Sequence, residues 1–248
     1  MATASKRAVV TGGGRGIGRA VARALTRAGC TVTVVGRTAA TLDEAVAAGD
    51  AAKAQALDVT DAEGLSAYLS ETAVDILVNN AGIADSAPFG RTDLAHFRRL
   101  MAVNFESVVA ATHAVLPGMI DRGFGRIISV ASVAGLKGYP YVSAYCASKH
   151  AVVGLTRALA HEVAKTGITV NAVCPGYVDT DLVREGAARI AAKTGRPADE
   201  ITTHFHKHNP QDRFVAAEEV AAAVVWLAGT EAAAVNGQAI AIDGGETA

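Results

Sequence analysis

Aromatic residues are scarce in this chain: six Phe, five Tyr and one Trp make up 5% of its 248 residues. Half of the residues are nonetheless hydrophobic, so a core has to be built mainly from Ala, Val, Leu and Ile. Neither charge is in excess. Lys and Arg number 23 against 24 Asp and Glu, a formal net charge of -1. That balance gives no electrostatic reason to expect nucleic acid or a membrane surface as partner. Cysteine is also sparse. Cys30, Cys146 and Cys174 are scattered without metal-ligand spacing, read as buried, reduced thiols, and predict no metal site. No apolar run reads as long enough to span a bilayer. Residues 1–7 lack the apolar region of a signal peptide. The cytoplasm is therefore the expected compartment.

What the chain does have is a rhythm. Short β-branched runs at 8–11, 31–35, 54–57, 75–79, 126–130, 169–173 and 239–242 alternate with Ala-rich helical stretches. The clearest helices fall at 17–28, at 94–116 with Asp93 as N-cap, at 147–165 and at 217–227. Thr41 with Glu44, and Thr60 with Glu63, have the spacing of capping boxes. Apolar strands separated by helices predict a single-domain α/β fold of the Rossmann type. That fold is a doubly wound parallel sheet of about seven strands with helices on both faces. One catalytic and dinucleotide-binding domain is expected over 1–248. The long segment 181–214, rich in charge and histidine, reads as a substrate lid or as a structural excursion of surface helices. His204, His206 and His208 cluster within it, without acidic ligands in a fitting pattern.

The run Thr11-Gly12-Gly13-Gly14-Arg15-Gly16-Ile17-Gly18 follows the first strand and opens the first helix. A dinucleotide site needs that context. Glycines let the backbone turn tightly and approach a pyrophosphate, and the helix N-terminus supplies free N–H donors. Gly12, Arg15, Gly16, Ile17 and Gly18 are the candidates for this cradle. The second strand ends in Gly36-Arg37, where sites for NAD usually carry Asp or Glu against the ribose 2′-hydroxyl. A guanidinium suits a 2′-phosphate, and Arg15 can approach the same group. NADP, as NADPH, is the expected cofactor, with NAD the less favoured alternative.

Tyr145 and Lys149 stand one helical turn apart and so share a helix face. A phenol has a free pKa of about 10, and an ammonium beside it favours the phenolate. Together with the glycine run, the chain resembles the short-chain dehydrogenase/reductase family along essentially its whole length. Asn79-Asn80-Ala81-Gly82 is similar to the family's segment after strand four, and Asp58-Val59 to its adenine contact. The segment from Pro175 and Gly176 through Val178 to Thr180 resembles its nicotinamide-side loop. Asn104, Ser132, Tyr145 and Lys149 match its catalytic four. Asp58 has a second reading, as N-cap of the helix beyond it.

The resemblance implies reversible hydride transfer between a nicotinamide and a ketone or secondary alcohol. Tyr145 can then donate a proton to the carbonyl oxygen as general acid, and Ser132 can hydrogen-bond the same oxygen. The resemblance adds that Lys149 binds the nicotinamide ribose, and that Asn104 holds a water which passes protons to Lys149. Asn80, Ala81 and Gly82 are expected beside the cofactor. The pattern is most similar to 3-oxoacyl-(acyl-carrier-protein) reductases, 3-hydroxyacyl-CoA dehydrogenases and polyketide ketoreductases. Acyl-CoA or an acyl-carrier protein is accordingly an expected partner. Apolar and small residues around 83–89 and 133–141 suit an acyl chain or a ring. Arg184, Arg189, Lys193, Arg196 and Lys207 are available to carrier phosphates, although Glu185, Asp199, Glu200 and Asp212 dilute their charge. A small-residue stripe of Ala147, Ala151, Gly154 and Ala158 permits close helix approach, and a homotetramer is expected.

Overall fold

The computed structural model describes residues 6–248, apart from the side chains of Leu182 and Lys193. Lys193, one of the candidate phosphate-binding cations, therefore lies outside the described side chains. Seven strands form one parallel sheet: β1 (Arg7–Thr11), β2 (Thr31–Gly36), β3 (Lys53–Ala56), β4 (Ile76–Asn79), β5 (Gly125–Val130), β6 (Ile168–Pro175) and β7 (Ala239–Ile242). Their order is β3-β2-β1-β4-β5-β6-β7, and every pairing is parallel. Strand order reverses between β1 and β4. In such sheets ligands bind outside the C-terminal strand ends at this switch point. The loops after β1 and β4 meet there.

The helices are α1 (Gly16–Arg27), α2 (Ala39–Ala47), α3 (Ala62–Ser70), α4 (Leu94–Met101), α5 (Ser107–Asp121), α6 (Ser143–Glu162), α7 (Asp181–Thr194), α8 (Ala198–His206) and α9 (Ala217–Ala228). Successive strand residues serve opposite faces. In β1, Ala8 and Val10 join the core under α1, α2 and α9, where Val21, Leu25, Leu42 and Val224 pack. Val9 joins the other core, with Leu65, Leu69, Ala111, Val115 and Met119 from α3 and α5. Ile76 and Val78 of β4 likewise part company with Leu77. The aliphatic composition thus fills both faces with no aromatic among their buried residues, Tyr68 packing only at the edge of the second core.

Several local expectations need correction. Thr41 lies inside α2 and donates its hydroxyl to the Thr38 carbonyl at 3.0 Å. Helix α3 is capped by Asp61, which accepts from the Gly64 N–H at 3.0 Å. Thr60 is diverted from that role because its hydroxyl donates to the Asp58 carboxylate at 2.8 Å. Asp58 is therefore a local turn residue and not the N-cap of α3. Asp93 does cap α4, accepting from the His96 N–H at 2.8 Å. The helical run Leu94–Asp121 is, against expectation, long and apolar enough to cross a bilayer by length and composition. Leu100, Asn104, Ala111, Val115 and Met119 along it are buried within the molecule, as in the core helix of an α/β domain. Segment 181–214 carries the helices α7 and α8.

Candidate active site

Thr11, at the end of β1, ties the two switch-point loops together. Its Oγ1 accepts from the N–H groups of Asn80 at 3.0 Å and Ala81 at 3.1 Å. Asn80 answers by donating Nδ2 to the carbonyls of Thr11 at 3.0 Å and Gly12 at 3.2 Å. The Asn80 side chain is thus committed to holding the glycine loop. Within that loop Gly12 and Gly16 have φ of 66° and 53°, which a glycine adopts without strain. A Cβ on Gly18 would lie 2.2 Å from the Gly12 carbonyl oxygen, so the loop packs against the first turn of α1 only as glycine. This bare backbone, at the N-terminus of α1 and beside the switch point, fits a dinucleotide pyrophosphate. Ile17 is partly buried and packs on the core beneath the loop. On the far side a Cβ on Gly16 would meet the Thr180 methyl group at 3.3 Å, which sets the β6–α7 loop against the cradle. Pro175 ends β6, the Gly176 N–H donates to the Ile242 carbonyl at 3.1 Å, and Val178 and Thr180 are buried.

Arg15 and Arg37 are both exposed. Arg15 Nη1 lies 3.4 Å from Glu185 of α7, and Arg37 Nη1 lies 4.0 Å from Asp58. Hydrogen bonds from Thr60 hold the Asp58 carboxyl below its usual range, so it stays ionised opposite Arg37. Val59 beside it is buried.

The catalytic candidates converge from three elements. Ser132 follows β5 and opens a tight turn at Val133–Gly135. A Cβ on Gly135 would stand 2.7 Å from the Lys149 carbonyl oxygen, so glycine here lets the turn lie on α6. The Ser132 side chain accepts from the Ala134 N–H at 3.1 Å and hydrogen-bonds Tyr145. Helix α6 begins at Ser143, four residues earlier than the sequence suggests, and carries both Tyr145 and Lys149 in its first two turns. Asn104 sits in a π-helical turn, Ala102–Glu106, between α4 and α5. Such turns cluster at functional sites and accommodate a residue that is a poor helix former. Its side chain accepts from the Ile83 N–H at 2.8 Å and donates to the Ile83 carbonyl at 3.0 Å and to Ser148 Oγ at 3.0 Å. Ser148 in turn donates to the Tyr145 carbonyl at 2.8 Å. That link from Asn104 to the catalytic helix was not foreseen, because a serine inside a helix gives no signal in sequence.

Lys149 is buried and donates to the Val130 carbonyl at 2.8 Å. Burial lowers its pKa from 10.5 to about 8. Its Nζ stands 5.8 Å from the centre of the Tyr145 ring. The expected lowering of the tyrosine does not dominate. Burial raises the Tyr145 pKa, and the Ser132 hydrogen bond opposes that rise. Tyr145 is therefore held as a neutral phenol, the form that can donate a proton. A Cβ on Gly82 would lie 3.3 Å from Asn104 Oδ1 and 3.6 Å from Lys149 Nζ. The two polar groups thus flank the same glycine. Behind Ser132, the buried Cys174 thiol is pushed up to about 11, mainly by burial, and accepts from the Ser132 N–H.

The cleft walls are the loops after β4 and β5, joined by an N–H from Ala87 to the Tyr141 carbonyl at 2.8 Å. Arg189 of α7 reaches the Ala84 carbonyl at 3.5 Å. The remaining α7–α8 arginines are occupied. Arg184 faces Asp179 and Asp181, and Arg196 lies 2.7 Å from Glu200. Of the three clustered histidines, His204 and His208 meet edge to face at 5.2 Å, and His206 turns away from them. His206 pairs with Asp212 at 3.1 Å, whereas His208 faces Glu246 at 3.8 Å. Among the described residues no group of three or more His, Cys, Asp or Glu has metal-binding geometry.

The buried ammonium has a thermodynamic signature. Between pH 8 and 10.5 the unfolded chain binds more protons at Lys149 than the folded one, so stability contributed by this site rises with pH. Lys149→Met is expected to unfold at higher denaturant than wild type near pH 7, by about 1–3 kcal/mol. The gap should narrow as pH is raised from about 8 towards 10.5. Urea titrations across that range measure it, and a gap independent of pH would contradict the linkage.

The family model for short chain dehydrogenases matches residues 6–190. The D-beta-hydroxybutyrate dehydrogenase of Rhizobium meliloti (strain 1021) is 35% identical over 98% of this chain and 99% of its own. The 3-oxoacyl-[acyl-carrier-protein] reductase of Vibrio harveyi is 37% identical over 97% of this chain and 96% of its own. A variant of actinorhodin polyketide ketoreductase, solved with NADPH, superposes with a TM-score of 0.91 at 36% identity, covering 98% of this chain and 97% of that one. The glycine cradle at the switch point and the Ser132–Tyr145–Lys149 cluster thus stand in a chain that belongs to the short-chain dehydrogenase family, oxidoreductases acting on CH–OH groups.

Proposed function

We propose that this protein is an NADPH-dependent reductase of ketones, above all of a 3-oxoacyl thioester, and that it also runs in the alcohol-oxidising direction. The observation that carries the reading is the hydrogen-bonded Ser132–Tyr145 pair beside a buried Lys149. The bound nicotinamide supplies or accepts the hydride. A carbonyl oxygen seated between the two hydroxyls accepts a hydrogen bond from each. As negative charge grows on that oxygen, Tyr145 gives it a proton and Ser132 stabilises it. Lys149, titrating near 8, is suited to exchange protons at neutral pH and to hold the ribose. Asn104, fixed by Ile83 and Ser148, keeps Gly82 and α6 in register and holds a water between itself and Lys149. Helices α7 and α8 act as the lid.

NADPH over NADH is supported by Gly36 in place of an acid and by the two exposed arginines. Their carboxylate partners are exposed pairs of little net worth, which a phosphate can replace. In this reading Gly12, Gly16, Ile17 and Gly18 cradle the pyrophosphate, and Asp58 and Val59 flank the adenine. Asn80, Ala81, Gly82, Pro175, Gly176, Val178 and Thr180 border the ribose and nicotinamide. The thioester is favoured by the similarity to an acyl-carrier-protein reductase and a polyketide ketoreductase. A second reading, a carbonyl reductase for aryl, cyclic or steroid ketones, is favoured by the aromatic grouping of Tyr177 stacked on Phe205 at 4.5 Å. A sensor that binds the nucleotide without catalysis has against it the presence of all four catalytic residues. The compartment is the cytoplasm, and neither nucleic acid nor membrane is a partner. The stripe of Ala147, Ala151, Gly154 and Ala158 does not bury itself against the sheet, and Gly154 has open space beside it. This face supports a homotetramer.

Tyr145→Phe is expected to keep NADPH affinity and lose about 10²–10⁴-fold in kcat, read by stopped-flow absorbance with acetoacetyl-CoA, its carrier-protein equivalent, aryl ketones and a steroid ketone. Turnover within twofold of wild type on a substrate in this panel would remove Tyr145 as the acid. kcat/KM should favour NADPH over NADH by at least about tenfold, or about 1.4 kcal/mol; an NADH preference would overturn the roles given to Arg15 and Arg37. Light scattering on the eluting protein should give four times the mass of one chain, and a monomer would refute the assembly.

A further inference from the structure

Three of the five tyrosines in this aromatic-poor chain, Tyr139, Tyr145 and Tyr177, belong to one connected group at the site. Tyr177 lies close enough to Tyr145 for that phenol to help raise its pKa. Its ring stacks on Phe205 of α8 at 4.5 Å and leans on His208 at 5.8 Å. His208 also meets the edge of Tyr139, centroid to centroid at 6.1 Å. A wall of aromatic rings therefore runs from the proton donor outward, built from the loop after Ser132 and from the end of the lid.

What joins these pieces is a residue near the C-terminus. The Glu246 side chain is 3% exposed. Its Oε1 accepts a hydrogen bond from the Tyr139 hydroxyl and faces Lys137 Nζ at 3.6 Å and His208 Nδ1 at 3.8 Å. Lys137 also donates to the Glu246 main-chain carbonyl at 3.0 Å. The other oxygen, Oε2, is buried with no hydrogen-bond partner. It sits against Gly176 of the nicotinamide-side loop, where a Cβ would approach it to 3.4 Å. A buried carboxylate left half satisfied is destabilising, so this residue is a poor choice for stability alone. Glu246 also helps raise Tyr177 to about 12, and it holds Tyr139 protonated as a donor. Three segments distant in sequence thus meet on one carboxylate at the substrate side of the cleft.

We propose that Glu246 is a positioning residue for the ketone. By holding Tyr139 and facing His208 it fixes the aromatic wall that receives the apolar part of the substrate, with the carbonyl turned to Tyr145. The proposal rests on Tyr145 being the proton donor, but it fails separately, because it acts on KM and not on proton transfer. Glu246→Ala is expected to raise KM for the ketone about 5–20-fold, with kcat and the NADPH Kd within about twofold. KM is measured with acetoacetyl-CoA and with acetophenone, taking the faster substrate. Glu246→Gln keeps an acceptor for Tyr139 and should recover most of the loss. Tyr139→Phe should reproduce the effect of Glu246→Ala, and the double variant should be no worse than either single one, since both remove one interaction. An unchanged KM in Glu246→Ala would overturn the proposal. So would kcat, NADPH affinity and thermal midpoint falling together with KM, the pattern of a purely structural role. If Glu246→Ala does not fold, Glu246→Gln and Tyr139→Phe decide by the same criteria.

Discussion

A lysine ammonium, buried and given the Val130 carbonyl as acceptor, is the constraint around which this site is built. Taking that charge out of water is costly, and the lowered pKa is the measure of the cost. Every close approach nearby serves to keep the group where it is. Gly135 lets the turn after β5 lie on the backbone of Lys149, and Gly82 leaves room for Nζ beside Asn104. The π-helical turn aims Asn104 at the backbone of Ile83. Stability is given up locally so that a group titrating near neutrality can stand next to a phenol.

The same tension explains why the tyrosine is not a phenolate. The pair at i and i+4 suggests that the lysine pulls the phenol down. The fold instead turns the ammonium towards a strand carbonyl and half-buries the phenol, and that desolvation raises it. A neutral Tyr145 is the competent species for giving a proton to a developing alkoxide. The hydrogen bond with Ser132 then sets the direction of the phenol rather than its charge. Spacing on a helix showed which groups meet. It could not show which way a four-carbon side chain turns, because that is decided by the carbonyl opposite.

Much of the architecture was legible because the physics is local. The strands show as short β-branched runs, and the cradle shows because close backbone approach admits only glycine at positions such as Gly18. What the sequence hid depends on competition between neighbours. Thr60 has the spacing of an N-cap, but the Asp58 carboxylate takes its hydroxyl, and Asp61 caps α3 instead. The first four residues of α6 are hidden because Ser143 and Ala144 carry no apolar periodicity, although Tyr145 depends on that first turn. Asn80 reads as a cofactor neighbour, and only the fold shows that its amide also donates to the carbonyls of Thr11 and Gly12 and so holds the glycine loop.

The least legible part is the substrate side, and the reason is topological. Tyr139, His208 and Glu246 lie in the loop after β5, just after α8 and in the segment after β7. No periodicity connects them. Glu246 carries no signal in sequence, and His208 reads as one member of a histidine cluster. The fold gives both a specific partner. It carries the tail after β7 back beside Gly176, and it sends His206 towards Asp212 but His208 towards Glu246. The proposed catalytic residues stand on regular elements, Ser132 excepted. The proposed substrate wall is left to three segments without regular structure, and they need one another to form it.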